Sequence, residues 1–179
     1  MNLTRDHMRS HSQAPLVLAC LVLSMIAGCS REDEEALRGR LEQWYALGPT
    51  VAFHATGNCA AGAFGLTDDA VKSAMPVTQG LPEMVIALAR RGAAALDDPS
   101  QTPDAGMVAL VNLDRATGSG MRRAALEGRA CMNETVESAF RYALVNPRAV
   151  LAYDKRHAAL MLLDPRTGML IVAMGAADG

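Results

Sequence analysis

The chain reads as an α+β protein, with an antiparallel sheet packed with about four to five helices. The sheet consists of an N-terminal strand pair plus a C-terminal three-stranded meander. Three observations predict this. Apolar residues alternate from Thr50 to Ala55, and Ala149 to Met174 is rich in short apolar runs bounded by turns, whereas the residues between recur at helical spacing. Strands, helices and strands follow one another in blocks, without βαβ alternation. Asp164-Pro165-Arg166-Thr167-Gly168 places Pro at the second turn position and Gly where a positive φ is needed, which is a hairpin signal.

The elements follow in order. Ser30 to Leu47 reads as an amphipathic helix capped by Ser30, with acids at its positive dipole end. Leu37, Leu41, Trp44 and Tyr45 form its apolar face, and Gly48-Pro49 stops it. Thr50 to Ala55 is a strand, Gly57-Asn58 a turn, and Cys59 to Leu66 a weaker second strand. Thr67-Asp68-Asp69 caps a short helical turn ended by Pro76. Pro82 opens a helix running to about Leu96, with Met84, Val85, Leu88, Ala95 and Leu96 inside. After a polar loop, Thr102-Pro103-Asp104 starts the next helix, with Met107, Leu110 and Val111 facing in. Gly118-Ser119-Gly120 breaks or kinks it, and Met121 to Cys131 continues as helix. Asn133 caps a further helix, with Val136, Ala139, Phe140, Ala143 and Leu144 facing in, until Asn146-Pro147. Ala149 to Tyr153, His157 to Leu163 and Gly168 to Met174 are the closing strands.

Those last strands are apolar at both parities, where a half-buried antiparallel strand would alternate. They are expected to be covered on both faces. Helices of the same chain supply one cover, and the N-terminal helix with Trp44 the other, with a partner subunit as the competing occupant of that second face.

The N-terminus carries a different kind of signal. Ala14 to Ala27 is an apolar run too short to span a membrane, ending in Ile26-Ala27-Gly28-Cys29 and followed at once by Arg31-Glu32-Asp33-Glu34-Glu35. An aliphatic residue, a small residue, Gly and then Cys resembles the signal peptide of a bacterial lipoprotein. The resemblance covers about the first thirty residues and implies that 1–28 is removed. Residues 29–179 then form a single lipid-anchored domain beginning at Cys29, which carries a thioether-linked diacylglycerol. Two or more acyl chains anchor stably, at about 0.8 kcal/mol per buried CH2. In that family an Asp after the Cys favours inner-membrane retention, so Ser30 implies the outer membrane, facing the periplasm. Met1 and Met8 are both possible starts.

Charge and cysteine content bound the function further. The chain has 17 basic and 19 acidic residues. Loss of Arg5, Arg9 and Asp6 with the leader leaves 15 against 18, near neutral and with no basic block. Together with export, this argues against nucleic acid as a partner. Cys20 leaves with the leader and Cys29 is lipidated, so Cys59 and Cys131 remain, and two cysteines in an oxidising compartment are expected to pair. A Cys59 nucleophile activated by His54 is the alternative.

No other constellation matches that signal in specificity. His54, His157 and the two cysteines fit no metal-ligand spacing, so no metal or other cofactor is expected. Ser119 and Gly120 ahead of Arg122 and Arg123 resemble an anion site, with helix-start amides and two guanidinium groups, although the segment lacks the P-loop lysine. The reading is therefore a lipid-anchored cell-envelope protein with a small disulfide-stapled domain. It acts by binding or as a structural part, its partner being another envelope protein or a wall component. Its rival is an envelope hydrolase or anion-binding protein using the Gly118 to Arg123 corner.

Overall fold

The structure, a computed structural model, describes residues 32–176. Ile26 to Cys29, Ser30 and Cys20 lie outside the described residues. The elements run α1 (Glu34–Leu41), β1 (Ala46–Ala55), β2 (Ala60–Asp68), β3 (Val77–Thr78), α2 (Leu81–Arg91) and β4 (Ala93–Leu96). They continue with α3 (Pro103–Leu113), α4 (Arg115–Gly128), a 3-10 turn (Arg129–Cys131), α5 (Glu134–Leu144), β5 (Val150–Asp154), β6 (Ala159–Asp164) and β7 (Met169–Met174). The fold is α+β. Among the described residues seven strands form one sheet in the order β1-β2-β7-β6-β5-β4-β3, antiparallel except for the β3–β4 pair. The strand pair and the meander join through β2 and β7, where Ala60 stands opposite Met174.

The apolar strands are covered on both faces by the same chain. Leu160, Leu162, Ile171 and Ala173 pack with Met84, Leu88, Met107, Leu110, Met121 and Phe140 from α2 to α5. On the opposite face Met161, Leu163, Leu170, Val172 and Met174 pack with Leu37 and Leu41 of α1, Tyr45 and Met75. All of β6 is buried at both parities. Each fully buried aliphatic side chain contributes on the order of 1.5–3 kcal/mol, so the hairpin core is among the most stabilising parts of the molecule.

Several element boundaries differ from the sequence reading, each for a tertiary reason. α1 stops at Leu41, capped at its start by Asp33, whose carboxylate accepts from the Ala36 amide, rather than by Ser30. Trp44 and Tyr45 follow it in a turn. Gly48-Pro49 lies inside β1, because β1 is an edge strand and its pairing is irregular between Leu47 and Thr50, where a missing N–H breaks no ladder. β2 runs on to Asp68, whose carboxylate accepts from the Ala70 amide instead of capping a helix. α2 ends at Arg91, since Gly92 adopts φ 81, and Ala93 to Leu96 form a buried strand between β3 and β5. A run of three alanines followed by leucine carries no period, and its place in the sheet decides its state.

Gly118 does not break a helix. The break falls at Asp114, which caps α4 through the Thr117 amide, and α4 is continuous to Gly128 before the 3-10 turn. A Cβ on Gly118 would stand 2.3 Å from the Val111 nitrogen and 2.7 Å from the Leu110 carbonyl carbon. The glycine is there because the α3 and α4 backbones meet at that point. His157 lies in the turn before β6 rather than on a strand. Thr102 and Asn133 cap α3 and α5 as their sequence contexts predict.

Candidate functional site

Cys59 and Cys131 form the predicted disulfide, with Cα atoms 5.9 Å apart. Both are buried, and Thr56 Oγ1 lies 3.4 and 3.5 Å from the two sulfurs. The bond ties the start of β2 to the end of the 3-10 turn across 72 residues, a constraint worth about 4 kcal/mol in the chain-entropy account. It also leaves neither thiol to act as a nucleophile.

The predicted anion corner has a different geometry from the one its residues suggest. Ser119 and Gly120 lie within α4, beyond its first turn, so they offer no helix-start amides. Arg122 opens onto a groove between α3, α4 and α5 of about 190 Å³, together with Arg129, Leu126 and Phe140. Arg123 pairs with Glu127 at 4.0 Å along the same helix. The four residues are brought to one helix but not to one site. His54 is exposed on β1, and among the described residues no group of three His, Cys, Asp or Glu side chains could hold a metal ion.

Chemistry converges elsewhere. A cleft of about 180 Å³ opens where the β5–β6 turn meets the C-terminus of α2 and the turn after α1; Arg40, Gln43, Trp44, Arg91, Gly92, Ala93, Asp154, Arg156 and His157 line it. A larger concavity of about 780 Å³ is lined almost wholly by one face of α5 and has no opposing wall.

The cleft is built from its turn outward. Asp154 ends β5 and is 3% exposed. Its Oδ1 accepts from the Arg156 amide at 3.0 Å, and its Oδ2 lies 2.5 Å from His157 Nδ1. A buried carboxylate must be matched by donors, and the turn supplies them locally. The His157 ring is thereby held at the cleft rim, its side chain 39% exposed against 4% for that of Asp154. The next residue, Ala158, takes φ 45 and is the only non-glycine residue with positive φ among those described.

Gly92 joins this turn to α2. Its carbonyl accepts from the Lys155 amide at 2.9 Å, and a Cβ at Gly92 would lie 3.2 Å from Arg156 Nε. Both its φ and the approach of Arg156 therefore favour glycine. The arginine stem lies over the negative end of the α2 dipole, a favourable place for a cation. Arg91 stands in the last turn of the same helix. On the third wall, Arg40 pairs with Glu32 at 2.5 Å, and Trp44 is half-buried. Glu32 thus answers Arg40 and Asp154 answers His157. Arg91 and Arg156 make no side-chain ion pair among the described residues.

Of these positions the sequence reading named only Trp44, on an apolar helix face, and His157, at a strand start and weighed as a metal ligand. One signal was available. Asp154-Lys155-Arg156-His157-Ala158 and Asp164-Pro165-Arg166-Thr167-Gly168 share a pattern ten residues apart. No known family, curated protein or solved structure matches this chain.

Proposed function

We propose that this is a lipid-anchored cell-envelope protein, processed before Cys29 and held at the periplasmic face of the outer membrane, whose disulfide-stapled domain acts by binding rather than catalysis. Its partner on this reading is an envelope protein or a wall or membrane component, and the Arg91–Arg156–His157 cleft is the side it offers. The observation that carries the anchor is the Ile26-Ala27-Gly28-Cys29 box, set only four residues ahead of α1. So short a connection keeps the domain at the membrane surface. No described helix is long and apolar enough to cross a membrane. The binding role draws on the cleft lining, which among the described residues holds three arginines, an imidazole, a carboxylate, an indole and an amide but no hydroxyl or thiol to act as nucleophile.

Metabolic labelling with a fatty acid tests the anchor. The wild-type chain should incorporate label and fractionate with outer membranes, and Cys29→Ala should leave unlabelled precursor. A Cys29→Ala protein that is still processed and labelled would sink the reading. Crosslinking in intact cells, with wild-type and Arg156→Gln chains side by side, then tests the binding role.

The second reading is an envelope hydrolase, favoured by the His157–Asp154 pair, since an imidazole oriented by a buried carboxylate is suited to activating a water molecule. Hydrolysis of envelope esters that disappears in His157→Ala, in a normally folded protein, would establish it in place of the first.

A further inference from the structure

We infer that the cleft at the β5–β6 turn binds the phosphate group of an anionic ester, gripped by Arg91 and Arg156 with the ester carbon chain against Trp44. The charge balance is the first reason. Glu32 is matched by Arg40, and Asp154, hydrogen-bonded to His157, is one carboxylate against the two guanidinium groups of Arg91 and Arg156, which make no ion pair among the described residues. The α2 C-terminus offsets only about half of one charge. A surplus of positive charge therefore remains at one small cleft in a protein whose net charge is negative.

Shape is the second reason. Guanidinium groups present planar forks that match phosphate oxygens two at a time. Arg156 is placed in advance, its stem over Gly92 and its own amide fixed by buried Asp154. A cleft of about 180 Å³ has room for more than a bare oxyanion, and the half-buried indole gives the rest of the ligand an apolar wall. Ala158 at φ 45 follows His157 directly, and such backbone outliers tend to cluster at binding sites.

Location points to the source of the phosphate, and this step rests on the proposed lipid anchor. Glu32, the partner of Arg40 in the cleft wall, is three residues beyond Cys29. At a reach of about 3.6 Å per residue it stands within about 11 Å of the anchor. That distance sets the cleft among lipid headgroups, although a free phosphate ester in the periplasm offers the same chemistry.

Trp44 is the sole tryptophan of the chain, so its fluorescence reports on this cleft alone. Lipidated full-length mature protein is placed in nanodiscs of digalactosyldiacylglycerol, a lipid without phosphate, and titrated with inorganic phosphate and with glycerol 3-phosphate. Trp44 emission should change saturably. Arg91→Gln and Arg156→Gln should each weaken the response at least about tenfold, the loss expected for one charge-assisted contact. Both side chains are exposed, so melting curves of the variants should match the wild type closely. In phosphatidylglycerol nanodiscs, emission that starts at the saturated value and ignores added phosphate assigns the site to headgroups. Emission that still responds assigns it to soluble esters. No saturable change in either disc, or a change that both variants retain, overturns the inference. Failure of the protein to remain in any disc refutes the anchored reading instead, and the same titration in buffer then decides the phosphate site separately.

Discussion

The β5–β6 and β6–β7 turns are built on one plan. In each an aspartate closes a strand, its Oδ1 accepts from the amide two residues on, and its Oδ2 meets the side chain three residues on. For Asp154 these are Arg156 and His157; for Asp164 they are Arg166 and Thr167. Each turn then passes through a residue with positive φ, Ala158 at 45° and Gly168 at 64°. Beyond that they part. Asp164 takes a further hydrogen bond from buried Asn146 at 2.9 Å and is fully buried, so its carboxylate is sealed beneath an exposed turn by neutral partners. Asp154 faces an imidazole at the rim of a cationic cleft. The β6–β7 turn uses glycine where backbone geometry asks for it, whereas the β5–β6 turn carries alanine there. One local device has thus been used once for stability and once, on the reading proposed above, to aim side chains outward.

The largest expected effect separates the two aspartates. Asp164→Ala strips the acceptor from buried Asn146, Thr167 and the Arg166 amide, and should cost about 2–4 kcal/mol in urea unfolding. Asp154→Ala should cost only about 1 kcal/mol, because the half-exposed His157 ring recovers its hydrogen bond from water. Equal losses would mean that both turns are structural.

The positive-φ positions sharpen the contrast at a smaller scale. A Cβ at Gly168 meets nothing within 4 Å, so Gly168→Ala should cost only the left-handed backbone penalty, about 1 kcal/mol. Ala158→Gly relieves that same penalty but uncovers a buried methyl group worth about 0.8 kcal/mol. Its melting curve should therefore stay within about 0.5 kcal/mol of wild type. A loss well beyond that would show that the methyl group, not the backbone, sets the residue at 158.

Exchanging the third positions comes next. His157→Thr recreates the β6–β7 turn's side-chain pattern and should leave stability within about 0.5 kcal/mol of wild type, since Thr167 already meets its own aspartate this way at 3.1 Å. The response of Trp44 to phosphate should nonetheless weaken. A variant that binds phosphate as wild type would remove His157 from the site.

The smallest effect lies in a third copy of the device. Asp98 accepts from the Ser100 hydroxyl and amide and from the Gln101 side chain. The Ser100 side-chain hydrogen bond first, then those of Gln101 and the Ser100 amide, hold its carboxyl below the usual carboxylate range. A lowered folded-state pKa contributes stability above the unfolded value of about 3.9, lost as pH falls through the folded value. Acid unfolding followed between about pH 4 and pH 2 should thus show a steeper loss of stability than in Asp98→Ala, the wild type starting higher and converging on the variant as this contribution is lost. Coincident acid limbs would show that this exposed loop contributes nothing.

How far the sequence determined this molecule follows from the range of each interaction. Thr102 and Asn133 were legible as caps because a cap bonds the amide three residues on. The disulfide was legible from a count of cysteines, and the α+β class from the change of hydrophobic period. The doubly covered hairpin was legible because β6 is apolar at both parities, and a strand so composed needs two covers. Tertiary structure decided whatever depends on residues far apart in the chain. Ala93 to Leu96 became a strand because β5 and β3 flank it, and Pro49 was admitted into β1 because, among the described residues, no strand pairs on its outer side. Gly118 proved to be a close contact between helices rather than a kink, since only the crossing of α3 and α4 sets the clearance it needs. The cleft brings Arg40, Arg91 and Arg156 together from three separate elements. Local hydrogen bonding fixes where each arginine begins, but only the closed sheet fixes that their charges meet.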